Sequence, residues 1–267
     1  MTRIVGIDTL NLTINYEGKD RTKAWAEVCD APNRKDKKAL HFQFKSPNVL
    51  TDRGEEIKGR IQNELKFIPG FKNIVNEVDI FFPMHMSYLK SYPEAIHFLT
   101  LQEYWNDAYN RQFDKVFRMT VGMNKDKGVG KDLYLELRCA DRKQDAFHYT
   151  LKSWLKSWNI PFGKWFTLRT EIEEGNVENG RFKLMVKMLG DSDWIVIFDG
   201  VLQTQSSEYN DGILKPDGIN SFQVFKFYTS KDIINYMKDK GLTMDVYYSN
   251  WRFKGTREGV YSFKSTN

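Results

Sequence analysis

The chain has 267 residues, with 40 Lys and Arg against 35 Asp and Glu, which gives a formal net charge of +5. These charges are scattered, so the sequence lacks the basic block of a nucleic-acid-binding arm, and it has no apolar stretch long enough to cross a membrane. Cys29 and Cys139 fit no metal-binding or redox spacing, and the four His residues show no zinc signature. Whether the two cysteines pair is left open.

Composition favours β-structure. Aromatic residues make up 15% of the chain, and they suit strands and sugar contacts, whereas Ala is scarce and helix-forming runs are few. The length is ordinary for one all-β domain. The sequence shows no internal repeat, low-complexity tract or change of composition, so we predict a single domain over residues 1–267.

Short segments of alternating apolar and polar residues predict the strands of the first half. They are residues 4–16, 39–45, 59–67, 76–83 and 97–107, and residues 25–29 precede a polar loop at 30–38. The segment 59–67 has an apolar face and a face made of Arg60, Gln62, Glu64 and Lys66. Such a polar face is usually solvated, but it could also form the floor of a groove.

Residues 97–107 are the most informative segment. In a strand successive side chains point to opposite sides, so these residues fall on two faces, and either face could be the one that packs in the core. One face carries Phe98, Thr100, Gln102 and Tyr104, and the other carries His97, Leu99, Leu101, Glu103 and Trp105. Because unpaired buried polar groups cost free energy, the polar end of this strand, including Asn106, predicts a cleft. Rings beside amides and carboxylates are typical of a sugar-binding groove, although Tyr104 and Trp105 could simply close the core.

The second half continues the pattern. Strands are predicted at residues 115–121, 133–139, 161–173, 181–187, 194–200, 222–228 and 244–253, with an Asn-Gly turn signal before 181–187. Residues 141–158 are only weakly amphipathic and predict a short helix or a crossover loop, and 230–240 predict a helix. Many short strands with little helix predict an all-β sandwich or jelly roll.

Several segments together resemble a known family. They are the Arg-containing strand 59–65, the Phe-Pro strand end at 80–83, the strand with Gln102, the hairpin start 163–166 and the last strand 246–253. Over roughly residues 39–253 the chain resembles the concanavalin A-like jelly-roll carbohydrate-active proteins, namely heparin-lyase-like polysaccharide lyases and related glycoside hydrolases. The resemblance implies a β-sandwich of two antiparallel sheets that cleaves glycosidic bonds in a concave-sheet groove.

Three departures from the family bear on the chemistry. Lyases of this type usually have a His two residues after the strand Gln, where this chain has Tyr104. The family's late Tyr-rich segment is matched loosely by residues 226–228. The paired-carboxylate signature of laminarinase-like hydrolases is absent. Jelly rolls of this type often hold a structural calcium, but no calcium-binding loop stands out here, and the proposed hydrolysis needs no cofactor.

Hydrolysis, the slightly preferred hypothesis, needs two carboxyl groups flanking the scissile bond, one of them with a raised pKa. The candidates are Glu103, Glu136 and Glu64, since each lies on a predicted strand beside aromatic or basic neighbours. Each of them could instead form an ordinary ion pair on a strand face.

β-Elimination, the alternative, needs a group that neutralises a uronate carboxylate and a group that transfers protons. The residues that could neutralise the carboxylate are Arg60, Gln102, Asn106 and Arg138. The residues that could transfer protons are Tyr104, Tyr134, Tyr228, His85 and His97. His85 lies in a predicted loop and is freer to reach a ligand than His97 at a strand start. The aromatic residues predicted to stack on sugars are Trp105, Trp251 and Tyr248.

A third hypothesis is a carbohydrate-binding module without chemistry, which would need the same groove but no carboxyl pair. In all three the partner is a polysaccharide or oligosaccharide, not nucleic acid. The first residues do not form a signal peptide. The protein is therefore either cytosolic or begins after a removed export signal, and the carbohydrate hypothesis favours a secreted, periplasmic or cell-surface location.

Overall fold

The structure, a computed structural model, describes residues 14–17, 20–107, 116–143, 146–213 and 215–257, and only the backbone of Ile68 and Lys143. Most of the predicted first strand therefore lies outside the described residues. In chain order the elements are β1 Ile14–Asn15, β2 Ala24–Asp30, β3 Lys38–Phe44, β4 Val49–Leu50, β5 Glu56–Asn63, β6 Leu65–Phe71, β7 Asn73–Phe81, β8 Leu99–Asn106, β9 Phe117–Lys125, β10 Leu133–Lys143, β11 Ala146–Asn159, β12 Trp165–Glu173, β13 Arg181–Met188, β14 Ile195–Val201, β15 Ile219–Gln223, β16 Lys226–Ser230, α1 Lys231–Asp239 and β17 Met244–Thr256. Short 3-10 helices cover Met84–Ser91 and Ser207–Tyr209.

The strands form two antiparallel sheets. The larger has the order β1-β5-β16-β8-β9-β10-β11, with β15 beside β8 and β6, and β4 beside β5. The smaller has the order β14-β13-β12-β7-β17-β3-β2. Strands far apart in sequence lie side by side in the sheet, as β16 does between β5 and β8.

The hydrophobic core lies between the sheets. Alternate side chains of each strand point inward, as Phe42 and Phe44 do on β3 and Leu133, Leu135 and Leu137 do on β10, and all five are buried. Both cysteines are free, and Cys139 is buried in this core. The predicted all-β sandwich of two antiparallel sheets is confirmed.

Three segments differ from their predictions. Residues 146–159 form the long strand β11, not a helix or loop. Its inward positions opposite β10 are Leu151, Ser153 and Leu155, so a polar residue interrupts the apolar alternation that would have indicated a strand. The predicted strands 59–67 and 222–228 are each split into two strands of the larger sheet.

The predicted helix 230–240 is confirmed as α1. It buries Ile233, Ile234 and Met237, which recur at helical spacing, against the end of the sandwich. Gly59 on β5 leaves room for this contact, because a Cβ there would overlap the end of the Ile234 side chain.

A buried carboxylate ties the 3-10 helix Met84–Ser91 to the smaller sheet. Asp245 on β17 accepts hydrogen bonds from His41 Nε2 at 2.8 Å, His85 Nε2 at 2.8 Å, Gln43 Nε2 at 2.5 Å and Thr243 Oγ1 at 2.5 Å. Burial alone would raise the pKa of Asp245, but these donors hold it below its ordinary value. His85 is thus a structural residue, contrary to the expectation that it could reach a ligand.

We expect Asp245→Asn to lower the free energy of unfolding by about 3 kcal/mol at neutral pH, since it removes charge-assisted hydrogen bonds from a buried site. Because the folded-state pKa of Asp245 is lowered, its stabilisation is complete above the unfolded-state pKa and is lost as pH falls below about 4. Urea unfolding of both proteins from pH 7 to pH 3 should show the difference shrinking in acid. Asp199→Asn, which changes a more exposed ion pair with Arg181, should cost less than about 1 kcal/mol.

Candidate functional site

The outer face of the larger sheet carries three rows of side chains that cross its strands. The register places Arg60, Tyr228, Thr100, Gly122, Glu136 and Trp154 in the first row. The second row begins with the pair of Gln62 and Lys226. It continues across the sheet through Glu103, Thr120, Arg138 and Lys152. The third row is Ser221, Trp105, Arg118, Ala140 and Tyr149. A pocket lined by members of all three rows, with His97 and Phe98, opens on this face, and we call it the central pocket.

A bulge in β8 decides which residues of the segment 97–107 reach the pocket. Thr100 pairs with Gly122, but Gln102 pairs with Val121, so Leu101 and Gln102 both point into the sandwich. Thr100, Glu103 and Trp105 then share the outer face. Period two alone assigned Gln102 and Tyr104 to the face of Thr100, and the one-residue shift reverses that assignment.

We expect Gly122→Ala to destabilise the protein by about 1–3 kcal/mol, because the new Cβ would lie 2.6 Å from the carbonyl oxygen of Leu99. That oxygen belongs to the backbone at the bulge, so the strain cannot be relieved by a side-chain rotation. Denaturant unfolding measures the effect, and Thr120→Ser on the same strand should change stability by less than 1 kcal/mol.

Four of the predicted site residues lie between the sheets and not in the pocket. Tyr104 is fully buried, donates its hydroxyl hydrogen to Gln102 Oε1 at 2.9 Å and accepts from Asn76 Nδ2 at 3.0 Å. Trp251 Nε1 donates to Asn76 Oδ1, and Asn106 donates to Glu174. Burial raises the pKa of Tyr104 well above its usual value. Because all four side chains are buried between the sheets and none lines the pocket, the structure does not support Tyr104 as a catalytic residue or Gln102, Asn106 and Trp251 as substrate-binding residues.

Two further predictions also fail. Tyr248, predicted to stack on sugars, is fully buried, and its hydroxyl donates to the Lys226 carbonyl at 2.6 Å. Glu64 lies at the connection between β5 and β6, where its carboxylate is 3.5 Å from Lys66 Nζ, and it does not line the central pocket.

A buried ion pair that the sequence analysis missed adjoins the pocket, with Glu103 in the pocket lining and Lys226 behind it. The side chains of Lys226 and Glu103 are 2% and 5% exposed and contact each other directly, and Arg118 Nε lies 3.8 Å from the same carboxylate. Burial lowers the pKa of Lys226 to about 8, opposed by the charge of Glu103. Burial would raise the pKa of Glu103, but Lys226 and Arg118 hold it below its usual value. Glu103 is therefore an ionised carboxylate.

Glu136, the second predicted carboxylate in the pocket lining, is also paired. Arg138 Nε donates to one of its oxygens at 2.5 Å and Asn124 Nδ2 to the other at 3.2 Å. Arg138 also reaches the His97 carbonyl, so its guanidinium is fixed at the pocket wall. Tyr134, predicted to bind substrate, faces the same side but is buried, with its hydroxyl 2.8 Å from Asp126.

Tyr228 forms the opposite wall. Its ring meets Phe98 edge-on at 4.2 Å between centroids, and its hydroxyl accepts a hydrogen bond from Lys58 Nζ at 3.3 Å. Lys226 Nζ and the Arg60 guanidinium lie 5.2 and 5.6 Å from the ring centroid. Arg60 in turn forms an ion pair with Glu17 at 2.8 Å. The Tyr228 ring is thus fixed by packing and surrounded by positive charge.

Aromatic and cationic side chains alternate along the far side. The Arg118 guanidinium lies 5.6 Å from the Trp105 ring and 4.0 Å from the Phe147 ring. Lys152 and Arg138 flank Tyr149, at 4.0 and 5.8 Å from its ring centroid. Trp154 at the sheet edge is 55% exposed. The exposed rings offer flat apolar surfaces, and the cations offer charged hydrogen-bond donors.

Among the described residues, positive charge exceeds negative charge on this outer face. The three rows, together with Glu17, which pairs with Arg60, and Lys58, which pairs with Glu17, contain six cations: Lys58, Arg60, Arg118, Arg138, Lys152 and Lys226. They contain three carboxylates, Glu17, Glu103 and Glu136, and each is paired with a cation. The face therefore suits an anionic ligand.

His97 lies exposed at the pocket mouth, whereas the sequence analysis expected His85 to be the freer of the two to reach a ligand. Among the residues that the structure describes, no group of three or more His, Cys, Asp or Glu could hold a metal ion. No helix in the described part of the chain is long and apolar enough to span a membrane.

Comparison with known proteins identifies the fold. No family model and no curated protein matches the sequence. An alginate lyase solved with an alginate tetrasaccharide superposes with a TM-score of 0.53 at 11% identity, over 97% of this chain and 98% of its own. The endo-β-1,4-glucuronan lyase of the fungus Trichoderma reesei gives 0.53 at 12%, over 96% and 94%. The alginate lyase of Aplysia kurodai gives 0.54 at 10%, over 87% and 89%.

The chain has the jelly-roll fold of these polysaccharide lyases. The similarity extends over nearly the whole length of each protein, so the resemblance noted from short sequence segments is confirmed at the level of the fold. A jelly roll can carry many functions, and for this reason the activity must be argued from the central pocket.

Proposed function

We propose that the protein is a polysaccharide lyase that cleaves a uronate-containing glycan by β-elimination in the central pocket. The observation that carries this proposal is the excess of cations on the outer sheet face around the pocket, where each carboxylate of the described residues is already paired with a cation. A polyuronate has one carboxylate on each uronate unit, and it would be attracted to this face over its length.

In β-elimination the hydrogen on C5 leaves as a proton, the bond from C4 to the glycosidic oxygen breaks, and a C4–C5 double bond forms. The departing oxygen takes up a proton, so no water is consumed. The C5 hydrogen is acidic enough to leave only if the adjacent carboxylate is neutralised. Arg138 and Arg118, on adjacent strands at the pocket wall, are the groups we assign to that carboxylate.

Tyr228 is the group we assign to proton transfer. Its ionised oxygen would accept the C5 proton and then return it to the departing oxygen, which balances the reaction. Negative charge on that oxygen would lie 3.3 Å from Lys58 Nζ, and the cations of Arg60 and Lys226, at 5.6 and 5.2 Å from the ring centroid, would add to its electrostatic stabilisation. One of the similar lyases was solved with alginate after a Lys and a Tyr had been replaced by Ala, and Lys226 with Tyr228 offers the same pair of chemical groups.

Hydrolysis is less well supported than elimination. It requires a carboxyl group that stays protonated to act as general acid. The pKa of Glu103 is lowered by Lys226 and Arg118, and Glu136 is bound by Arg138. The three similar structures compared above are lyases of alginate and glucuronan, both built of uronates. The same substrate class favours a secreted, periplasmic or cell-surface location, as we propose.

The test is incubation of the purified protein with alginate, glucuronan and other polyuronates, and with neutral glucans as controls. We expect ultraviolet absorbance from the unsaturated product, together with new reducing ends, on at least one polyuronate. Reducing ends without that absorbance would establish hydrolysis instead. Retention on an immobilised glycan without any product would favour a binding module.

A further inference from the structure

The buried pair of Lys226 and Glu103 needs an explanation beyond stability. Replacing a buried ion pair by apolar residues of similar size is often neutral or stabilising, so such a pair is weak evidence for a purely structural role. This pair lies at the point where β16 meets β8, below Tyr228 and beside Arg118. Its position beside the pocket points to a role in the site.

The charged groups around Lys226 are unevenly distributed. Arg60 on β5 and Arg118 on β9 face it with like charge, Tyr228 lies beside it on β16, and Glu103 on β8 is the carboxylate in contact with it. Glu17 is turned toward Arg60 and Lys58. Burial and both arginines disfavour the charged form of Lys226, and Glu103 is the group that opposes them.

We propose that Glu103 is a positioning residue that keeps Lys226 charged beside Tyr228 and thereby sets the upper pH limit of uronate cleavage. This inference rests on the proposed function. Charged Lys226 stabilises the anion on the Tyr228 oxygen, and once Lys226 loses its proton that support is lost. Glu103, predicted from sequence as a catalytic carboxylate, would then act through Lys226 and not on the sugar.

The activity test compares pH–rate profiles. At high pH kcat should fall as Lys226 loses its proton, and we call this fall the alkaline limb of the profile. In E103Q the alkaline limb should move about one pH unit or more to lower pH. E103D keeps the charge and should restore the limb toward the wild-type position. In K226R the cation stays charged throughout, so the limb should disappear, and adding E103Q to K226R should leave the profile unchanged. Glu171→Gln, which alters a carboxylate paired with Arg169 on the opposite sheet, should not move the limb.

A second measurement does not depend on activity. The charge state of Lys226 can be followed by NMR of its 13Cε in wild type and E103Q, and the E103Q titration should lie at lower pH. An unchanged Lys226 titration, or a limb shift that persists in the K226R background, would overturn the role of Glu103. Failure of the proposed function would look different, because the wild-type protein would then cleave no polyuronate at any pH while the NMR comparison could still be made.

Discussion

Tyr228→Phe should lower kcat on the polyuronate substrate by about 10²–10⁴-fold, because it removes the oxygen that takes and returns the proton. KM should change little, since the ring that packs against Phe98 is retained. The reason for a large effect is geometric: among the tyrosines proposed from sequence, Tyr228 lines the pocket, while Tyr104 and Tyr134 are buried. Initial rates from product absorbance at several substrate concentrations separate kcat from KM.

Tyr149→Phe is the matched control for that variant. Tyr149 also lines the central pocket, but it lies on the edge strand β11 and is 45% exposed. Removing its hydroxyl should change kcat by less than about threefold. Comparable losses in both variants, or full activity of Tyr228→Phe with an unchanged unfolding transition, would remove Tyr228 from the mechanism.

Arg138→Ala should lower kcat/KM on polyuronate by about 10²–10³-fold. The variant removes the guanidinium that stabilises negative charge on the uronate carboxylate. Arg138 is fixed by Glu136 and by the His97 carbonyl, so its guanidinium is pre-organised to meet a carboxylate. The variant also leaves the charge of Glu136 without its arginine, which repels an anionic polymer. Binding of a polyuronate oligosaccharide, measured by calorimetry, should weaken as well.

The control for Arg138 is Arg169→Ala on the smaller sheet. Arg169 has the same local arrangement, with a carboxylate two residues away on its strand, Glu171, and a second one, Glu77, on β7. It lies on the opposite sheet, outside the central pocket, so kcat/KM should fall less than about threefold. Equal losses in the two variants would show that Arg138 acts only through stability.

The sequence predicts the fold better than the site. Alternation is a local property, so strands such as β10 and the hairpin of β12 and β13 are visible in it. Strand β11 is missed because Ser153 occupies an inward position. The prediction that residues 1–267 form one domain stays a prediction, as does the absence of a nucleic-acid partner.

The site depends on two features that a single sequence does not reveal. One is the bulge at Leu101, which exchanges the faces of β8 and moves Gln102 and Tyr104 into the sandwich. The other is the pairing of strands far apart in sequence, which brings Lys226 to Glu103 across 123 positions. A usable signal was present nonetheless, since Lys226 and Tyr228 alternate with Phe225 and Phe227 and therefore share the face opposite the two phenylalanines.

The most direct test of β-elimination is to let the protein digest a polyuronate in water enriched in ¹⁸O and to weigh the products by mass spectrometry. Elimination consumes no water, so each cut should give a fragment lacking the mass of one water at its new non-reducing end, with no ¹⁸O introduced by bond cleavage. Products that carry one added water per cut, with ¹⁸O at the cleaved bond, would contradict the account and return the pocket carboxylates Glu103 and Glu136 to consideration as a hydrolytic pair.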